Sequence, residues 1–182
     1  MSYRDEYREF LKTKRQPVDY LPMILELQRS LSSNNQEESL KIAGELEAVA
    51  REERIHALEE YLLYVLSRLL YVQGEQEMME FTYDDVLVNL VKIQTFNRLE
   101  ENEYYIAVDD WRSHFDAVLN AAKEVAPEVC MTNECRGWSG EFEPEVLWQE
   151  TEAILGFTYL EEKAEIDRAL RSHWSYYTFF PY

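Results

Sequence analysis

Two pairs of side chains in this 182-residue chain have the types and spacing of metal ligands. Glu53 precedes His56 by three residues and Asp110 precedes His114 by four, so each pair would lie on one face of a helix. Di-iron helix bundles combine two Glu-x-x-His steps with two further carboxylates, whereas this chain has a single such step. A helical-bundle metalloprotein using Glu53/His56 and Asp110/His114 is therefore the alternative hypothesis, and we expect no metal or other cofactor.

The other reactive side chains do not form a recognisable catalytic motif. Cys130 and Cys135 are the only cysteines, and they would need histidine partners from elsewhere to bind zinc, so we expect ordinary thiols. Residues 136–140 do not supply the Gly-x-Ser-x-Gly turn of a nucleophilic serine, and the sequence has no glycine-rich phosphate loop. We predict that the protein is not an enzyme.

The elements that would position these residues are predicted from apolar spacing. Five glycines and five prolines are few for this length, which favours long helices over short strands and tight turns. We predict an all-α fold, a single-domain irregular helical bundle over 1–182, with 1–30 as a candidate semi-independent pair of helices. The predicted helices span 3–14, 17–32, 36–73, 83–101, 109–125, 145–155 and 158–174.

The apolar stripes of the long helix at 36–73 are out of phase before and after 50–54. We expect a kink or break there, or alternatively one long helix whose two halves face different neighbours. Residues 104–108 are rich in β-formers and could be an extended connector or a helix start.

Three further expectations concern the C-terminal third of the chain. Pro127 should end the helix at 109–125 and open the one long loop, at about 127–144. Gly156 should separate the last two helices, with Thr158 as the N-cap of the second. The aromatic tail at 173–182 should either pack across the helices or present an interaction patch.

Net charge bears most directly on function. The chain has 36 Asp and Glu against 18 Lys and Arg, a formal net charge of −18. Such a surface repels nucleic acid and anionic membranes, and it attracts the basic grooves in which nucleic-acid enzymes hold phosphate backbones. The start of the sequence has no apolar signal region, and no stretch is apolar enough to span a bilayer, so we expect a cytoplasmic protein.

Acidic clusters next to large aromatic side chains are what an inhibitor of a basic enzyme needs. The 13 tyrosines and 4 tryptophans are notable because these residue types are enriched at binding hot spots. We predict a protein that binds and inhibits a nuclease or other nucleic-acid enzyme, as immunity proteins against nuclease toxins, phage anti-CRISPR proteins and anti-restriction proteins do, including by nucleic-acid mimicry. We expect no direct nucleic-acid or membrane binding, and a monomer or small homo-oligomer. A structural homo-oligomer subunit completed by the aromatic tail is the remaining alternative.

The predicted partner-binding residues combine carboxylates with large apolar side chains at element ends or in the long loop. They are Asp84, Asp85, Glu100, Glu101, Glu103, Tyr104, Tyr105, Asp109, Glu134, Trp138, Glu141, Phe142 and Glu143.

Overall fold

The computed structural model describes residues 18–74, 79–100, 103–129 and 143–175. Within these ranges the chain is all-α, which confirms the predicted fold class. The six described α-helices are α1 Leu21–Ser32, α2 Gln36–Gly74, α3 Met79–Asn97, α4 Trp111–Val129, α5 Pro144–Gly156 and α6 Lys163–Ser175. A short antiparallel strand pair, β1 Arg98–Glu100 and β2 Glu103–Tyr104, lies between α3 and α4. None of the described helices has the length and apolar character needed to cross a membrane.

The chain divides into two compact units, Met1–Glu53 and Arg54–Tyr182. The predicted helix at 3–14 lies outside the described residues, and the single-domain organisation stays a prediction. The N-terminal unit is described from Val18 onward, and the C-terminal unit contains the rest of α2 and the later helices.

In the N-terminal unit, α1 and the first half of α2 form an antiparallel hairpin. Asn34, with φ 57°, turns the chain through a left-handed conformation that asparagine tolerates. The Ser30 and Ser39 hydroxyls are hydrogen bonded at 2.9 Å near the turn. At the open end, the Tyr20 hydroxyl donates to the Glu53 carboxylate. Contacts at both ends therefore fix the register of the two helices.

Helix α2 is continuous through 50–54, so the predicted break there is wrong. This segment contains only alanine, arginine and glutamate, which are good helix formers, and has no glycine or proline to interrupt the backbone. The alternative of one long helix is the observed arrangement, and the boundary between the two units falls between Glu53 and Arg54. The change of phase in the apolar stripe marks this boundary and not a helix end.

The C-terminal unit has its own apolar core, drawn from all of its helices. Helix α2 is buried over much of its circumference here, since Leu58, Leu62, Leu63, Val65 and Leu66 are all at most 5% exposed. The other helices and the segment before α4 contribute buried side chains that include Val86, Leu90, Ile93, Ile106, Trp111, Phe115, Leu147, Ile154, Leu155, Ile166 and Leu170.

Three predicted helix boundaries are wrong on the N-terminal side of the loop. Helix α1 begins at Leu21, four residues later than predicted, with a proline in its first turn. Helix α3 ends at Asn97, because the chain turns there into β1 and does not continue to residue 101. Helix α4 continues past Pro127 to Val129, so the predicted loop at 127–144 begins later than expected.

The last helix also starts later than predicted. Gly156 is the final residue of α5 with a right-handed φ of −54°, so it does not act as a left-handed C-cap. Thr158 lies in a short 3₁₀ helix, Phe157–Tyr159, and its hydroxyl donates to the Leu155 carbonyl at 2.7 Å. Helix α6 begins at Lys163, where the Glu165 carboxylate accepts the Glu162 N–H at 3.1 Å, as in a capping box.

Candidate functional site

The segment between β2 and α4 is held by Asn97, the last residue of α3. The Asn97 amide oxygen accepts the Ile106 N–H at 2.8 Å, and its amide nitrogen donates to the Ile106 carbonyl at 2.9 Å. The Tyr105 N–H donates to the Asn97 carbonyl at 2.9 Å. Asn97 is buried, so these bonds are shielded from water. They fix the backbone just before the acidic residues Asp109 and Asp110.

The Tyr159 hydroxyl ties the same segment to the start of α4. It accepts the Trp111 indole N–H at 2.6 Å and donates to the Ile106 carbonyl at 2.8 Å. Burial raises the pKa of Tyr159 to about 12, so the hydroxyl keeps its proton at physiological pH. The segment from Ile106 to Trp111 is therefore fixed at both ends.

Tyr104 and Tyr105, two predicted aromatic anchors, are half-buried and packed against the chain itself. The Tyr104 ring meets the Tyr159 ring edge-on, with centroids 4.6 Å apart. The Arg54 guanidinium lies 5.7 Å from the centroid of the Tyr105 ring. Both side chains support the fold locally.

Helices α4 and α5 run in the same direction where they touch. Arg112 of α4 donates to the Glu145 carboxylate at 3.1 Å, and three residues later Phe115 contacts Trp148 with ring centroids 5.1 Å apart. Because both contacts advance by three residues in both helices, the two axes are locally parallel. Their N-terminal ends therefore lie at the same end of the C-terminal unit.

This arrangement gathers carboxylates that are far apart in sequence. We call this surface the acidic end; its acidic residues are Asp109, Asp110, Asp116, Glu143 and Glu145, all of them exposed. Among the described residues near these carboxylates, Arg112 is the one cation, and it contacts both Asp116 and Glu145. Val108 is 55% exposed and Val146 is 49% exposed, so apolar surface adjoins the charge. Carboxylates before or within a first helical turn are also stabilised by the helix dipole.

The acidic end unites two of the predicted residues, Asp109 and Glu143. Asp84 and Asp85 lie elsewhere, since Asp85 precedes Asn97 by twelve residues of α3, a distance of about 18 Å along the axis. Asp85 is also paired with Arg68 of α2 at 2.6 Å. Glu103 is exposed on β2, opposite Glu100 in the strand register. Glu101, Glu134, Trp138, Glu141 and Phe142 lie outside the described residues.

Asp110, Asp116, Arg112 and Glu145 were not among the predicted partner-binding residues. The neighbouring acids at 109–110 and 143–145 were a usable signal, because both immediately precede or begin a predicted helix. No local pattern could show that α4 and α5 are parallel neighbours.

The histidines of the alternative metal hypothesis both contact Glu59, which that hypothesis did not include. His56 Nδ1 lies 2.9 Å from one Glu59 oxygen and His114 Nδ1 lies 2.8 Å from the other. The hydrogen bond with His114 is the main reason why the pKa of Glu59 is lowered. Glu53 instead accepts the Tyr20 hydroxyl. Among the described residues, no group of three or more His, Cys, Asp and Glu side chains is placed to hold a metal ion.

No protein-family model, curated protein or solved structure matches this chain. Its function is therefore argued from its own residues.

Proposed function

We propose that the chain is a non-enzymatic acidic protein that binds and inhibits a basic, nucleic-acid-handling enzyme. In this proposal the acidic end occupies the partner's basic groove, and its carboxylates take the place of phosphates. Immunity proteins against nuclease toxins and phage anti-CRISPR or anti-restriction inhibitors act in this general way. The proposal is supported above all by the exposed carboxylates that meet where α4 and α5 begin.

Charge favours a basic partner over the other classes of macromolecule. The formal net charge of −18 disfavours nucleic acid and anionic lipid, whereas a basic groove would be attracted over distances comparable to the Debye length, about 8 Å at physiological ionic strength. At the acidic end itself, the carboxylates outnumber the single described cation, Arg112, whose side chain is already shared between Asp116 and Glu145.

The fixed backbone of the acidic end also suits an inhibitor. Ile106 is held by Asn97 and Tyr159, and Arg112 links α4 to α5, so the carboxylates Asp109 and Glu143 need little ordering on binding. Val108 and Val146 supply exposed apolar area beside the charges, which a partner surface could desolvate.

The test is affinity capture with the full chain from a lysate of its native host, followed by release with a short DNA duplex. We expect a captured protein that is basic, that the duplex displaces, and whose nuclease or other nucleic-acid activity falls when the chain is added. Captured proteins that are acidic or that DNA does not displace would contradict the proposal. A displaced enzyme whose activity the chain leaves unchanged would also contradict it.

A further inference from the structure

The hairpin of the N-terminal unit has a regular core pattern. Buried or half-buried residues recur at alternating steps of three and four along both helices. They are Tyr20, Met23, Leu27 and Ser30 on one side of the turn, and Ser39, Ile42, Leu46, Val49 and Glu53 on the other. This is the heptad pattern of two helices packed side by side.

The two flanks of this core differ completely in chemistry. The residues directly before the first heptad position are all acidic: Asp19, Glu26, Glu38, Glu45 and Glu52. The residues directly after the fourth position are all apolar: Ile24, Leu31, Ala43 and Ala50. In an antiparallel pair, equivalent flanks of both helices lie on the same side. The hairpin therefore has one acidic side and one apolar side.

The apolar side is exposed in this chain. Leu21, Ile24, Leu25 and Leu31 of α1 are 41% to 59% exposed, and Leu40 of α2 is 67% exposed. The residues of α2 next to Leu40 are small and exposed: Ala43, Gly44 and Ala50. We call these eight residues the apolar face. A stripe of large side chains on α1 thus lies beside a shallow strip of small ones on α2.

Gly44 gives a second, independent sign that another helix approaches here. It lies in the interior of α2, where glycine is the least favourable residue after proline. A Cβ built at Gly44 would have no atom within 4 Å, so packing within the chain does not require a glycine. Close approach of another backbone is the usual reason for a glycine at such a position.

We propose that a second copy of the chain covers the apolar face, so that two hairpins form an antiparallel four-helix bundle. A two-fold axis parallel to the helices places α1 of each copy over α2 of the other. With the register set by Ser30–Ser39 and Tyr20–Glu53, Leu31 of one copy is then level with Leu40 of the other. The large side chains of α1 enter the strip of small residues around Gly44. One surface carries both complementary halves, as a two-fold interface requires.

Charge favours a second copy over the basic partner of the proposed function. The acidic side of the hairpin would attract a basic protein and would repel another copy. The apolar face has charge near its border only as Glu47 and Arg51, which lie 3.9 Å apart and cancel each other. Two highly acidic chains can therefore meet at this face without bringing like charges together.

The size of the face is consistent with a weak dimer. Helix α1 is about 18 Å long and two adjacent helices are about 20 Å wide, so two copies would bury on the order of 1,000 Å². This value lies at the low end for specific interfaces, so we expect a dissociation constant of roughly micromolar order. The inference does not depend on the proposed function.

The test is sedimentation velocity of the full chain from about 1 to about 200 µM, a range that brackets the expected dissociation constant. We expect a shift from monomer to twice the monomer mass. Leu21→Gln combined with Leu25→Gln should weaken the dimer by at least about tenfold. The matched control, Val88→Gln with Leu99→Gln, removes comparably exposed apolar side chains from the C-terminal unit and should leave the dimer intact.

Gly44→Leu provides the sharper variant. Because the added side chain enters open space in one chain, the hairpin should still fold, and helix propensity should raise the melting temperature at concentrations where the chain is monomeric. The same substitution should block the dimer. A monomer at all concentrations would overturn the inference, whether residues 1–17 or a different protein covers the face. A dimer that the hairpin variants leave unchanged would overturn it too, because the interface would then lie elsewhere.

Discussion

Arg112 of α4 donates to the carboxylate of Glu145 of α5 at 3.1 Å, and this contact joins the starts of two helices that are 33 residues apart along the chain. Without it, Asp110 and Glu143 would belong to two separate acidic segments. Its guanidinium also packs 5.1 Å from the centroid of the Trp148 ring, so the contact is part of the α4–α5 interface.

Arg112→Gln should speed association with the enzyme captured as described above. The substitution removes the one described cation of the acidic end and frees two carboxylates, so the attraction to a basic groove increases. We expect an on-rate about two- to threefold higher at low salt, measured by surface plasmon resonance. Arg171→Gln is the matched control, because it removes an exposed arginine that is paired with Asp167 on α6. Equal acceleration by both variants would indicate an effect of net charge alone.

Tyr159→Phe should destabilise the C-terminal unit by about 1–3 kcal/mol. The hydroxyl is the partner of both the Trp111 indole N–H and the Ile106 carbonyl, and its removal leaves these groups short of a hydrogen bond where Trp111 is 1% exposed and Ile106 2% exposed. Urea unfolding at neutral pH measures the loss.

Tyr104→Phe is the control for this substitution. It makes the same chemical change on the neighbouring ring and keeps the edge-on contact with Tyr159. We expect a change within about 0.5 kcal/mol. Similar losses in the two variants would show that the Tyr159 hydroxyl has no special role in holding the segment before α4.

Apolar spacing predicted most of the fold because helices are local. The stripes of α2, α3 and α4 and the cap at the start of α2 follow from residues a few positions apart. The errors occur where a distant residue decides the outcome. Helix α3 ends at Asn97 because that side chain binds Ile106, and Thr158 is not an N-cap because its hydroxyl donates to the Leu155 carbonyl. Neither contact has a local sequence signal.

The acidic end shows the same limit for the site. Clusters of acids predicted that Asp109 and Glu143 could bind a partner, but Asp85 looked equivalent in sequence and is in fact paired with Arg68. Which acids share a surface depends on the parallel packing of α4 and α5, and on residues 130–142 only as their covalent link. Spacing along the chain carries no information about that packing.

Glu59→Gln should make stability less dependent on acidic pH. The hydrogen bond with His114 holds the pKa of Glu59 below its ordinary value of 4.5, so its contribution is present above that value and is lost as pH falls through the folded-state pKa. We expect the variant to lose about 1 kcal/mol at neutral pH, because the site is partly screened by solvent. The difference from the wild type should shrink as pH falls below 4.5.

Glu60→Gln is a neighbouring control that should behave in the opposite way. Burial raises the pKa of Glu60 above its ordinary value, so the ionised carboxylate opposes folding at neutral pH and protonation on acidification relieves this. The variant should therefore be as stable as the wild type or more stable at neutral pH, and this advantage should disappear as pH falls. Urea midpoints measured from neutral pH to below 4.5 separate the two. Parallel pH dependence in both variants would contradict the assignment of Glu59.

Reversing the charge of the acidic end should slow binding of the captured enzyme more than reversing the same number of charges elsewhere. The test variant combines Asp109→Lys, Asp110→Lys and Glu143→Lys, which are exposed positions joined by the α4–α5 contact. We expect an on-rate at least about tenfold lower at an ionic strength of about 10 mM, where the Debye length is about 30 Å. The matched control combines Glu26→Lys, Glu37→Lys and Glu45→Lys, exposed positions of the N-terminal unit with the same total change in charge. It should slow association only slightly, because long-range attraction falls but the groove-facing carboxylates remain. Raising the ionic strength to about 150 mM should reduce the difference between the two variants, since screening shortens the Debye length to about 8 Å. Circular dichroism checks that both variants keep their helical content. Equal slowing by both variants would mean that net charge, and not the acidic end, governs encounter, and an on-rate that ignores both salt and the substitutions would remove the electrostatic basis of the proposed function.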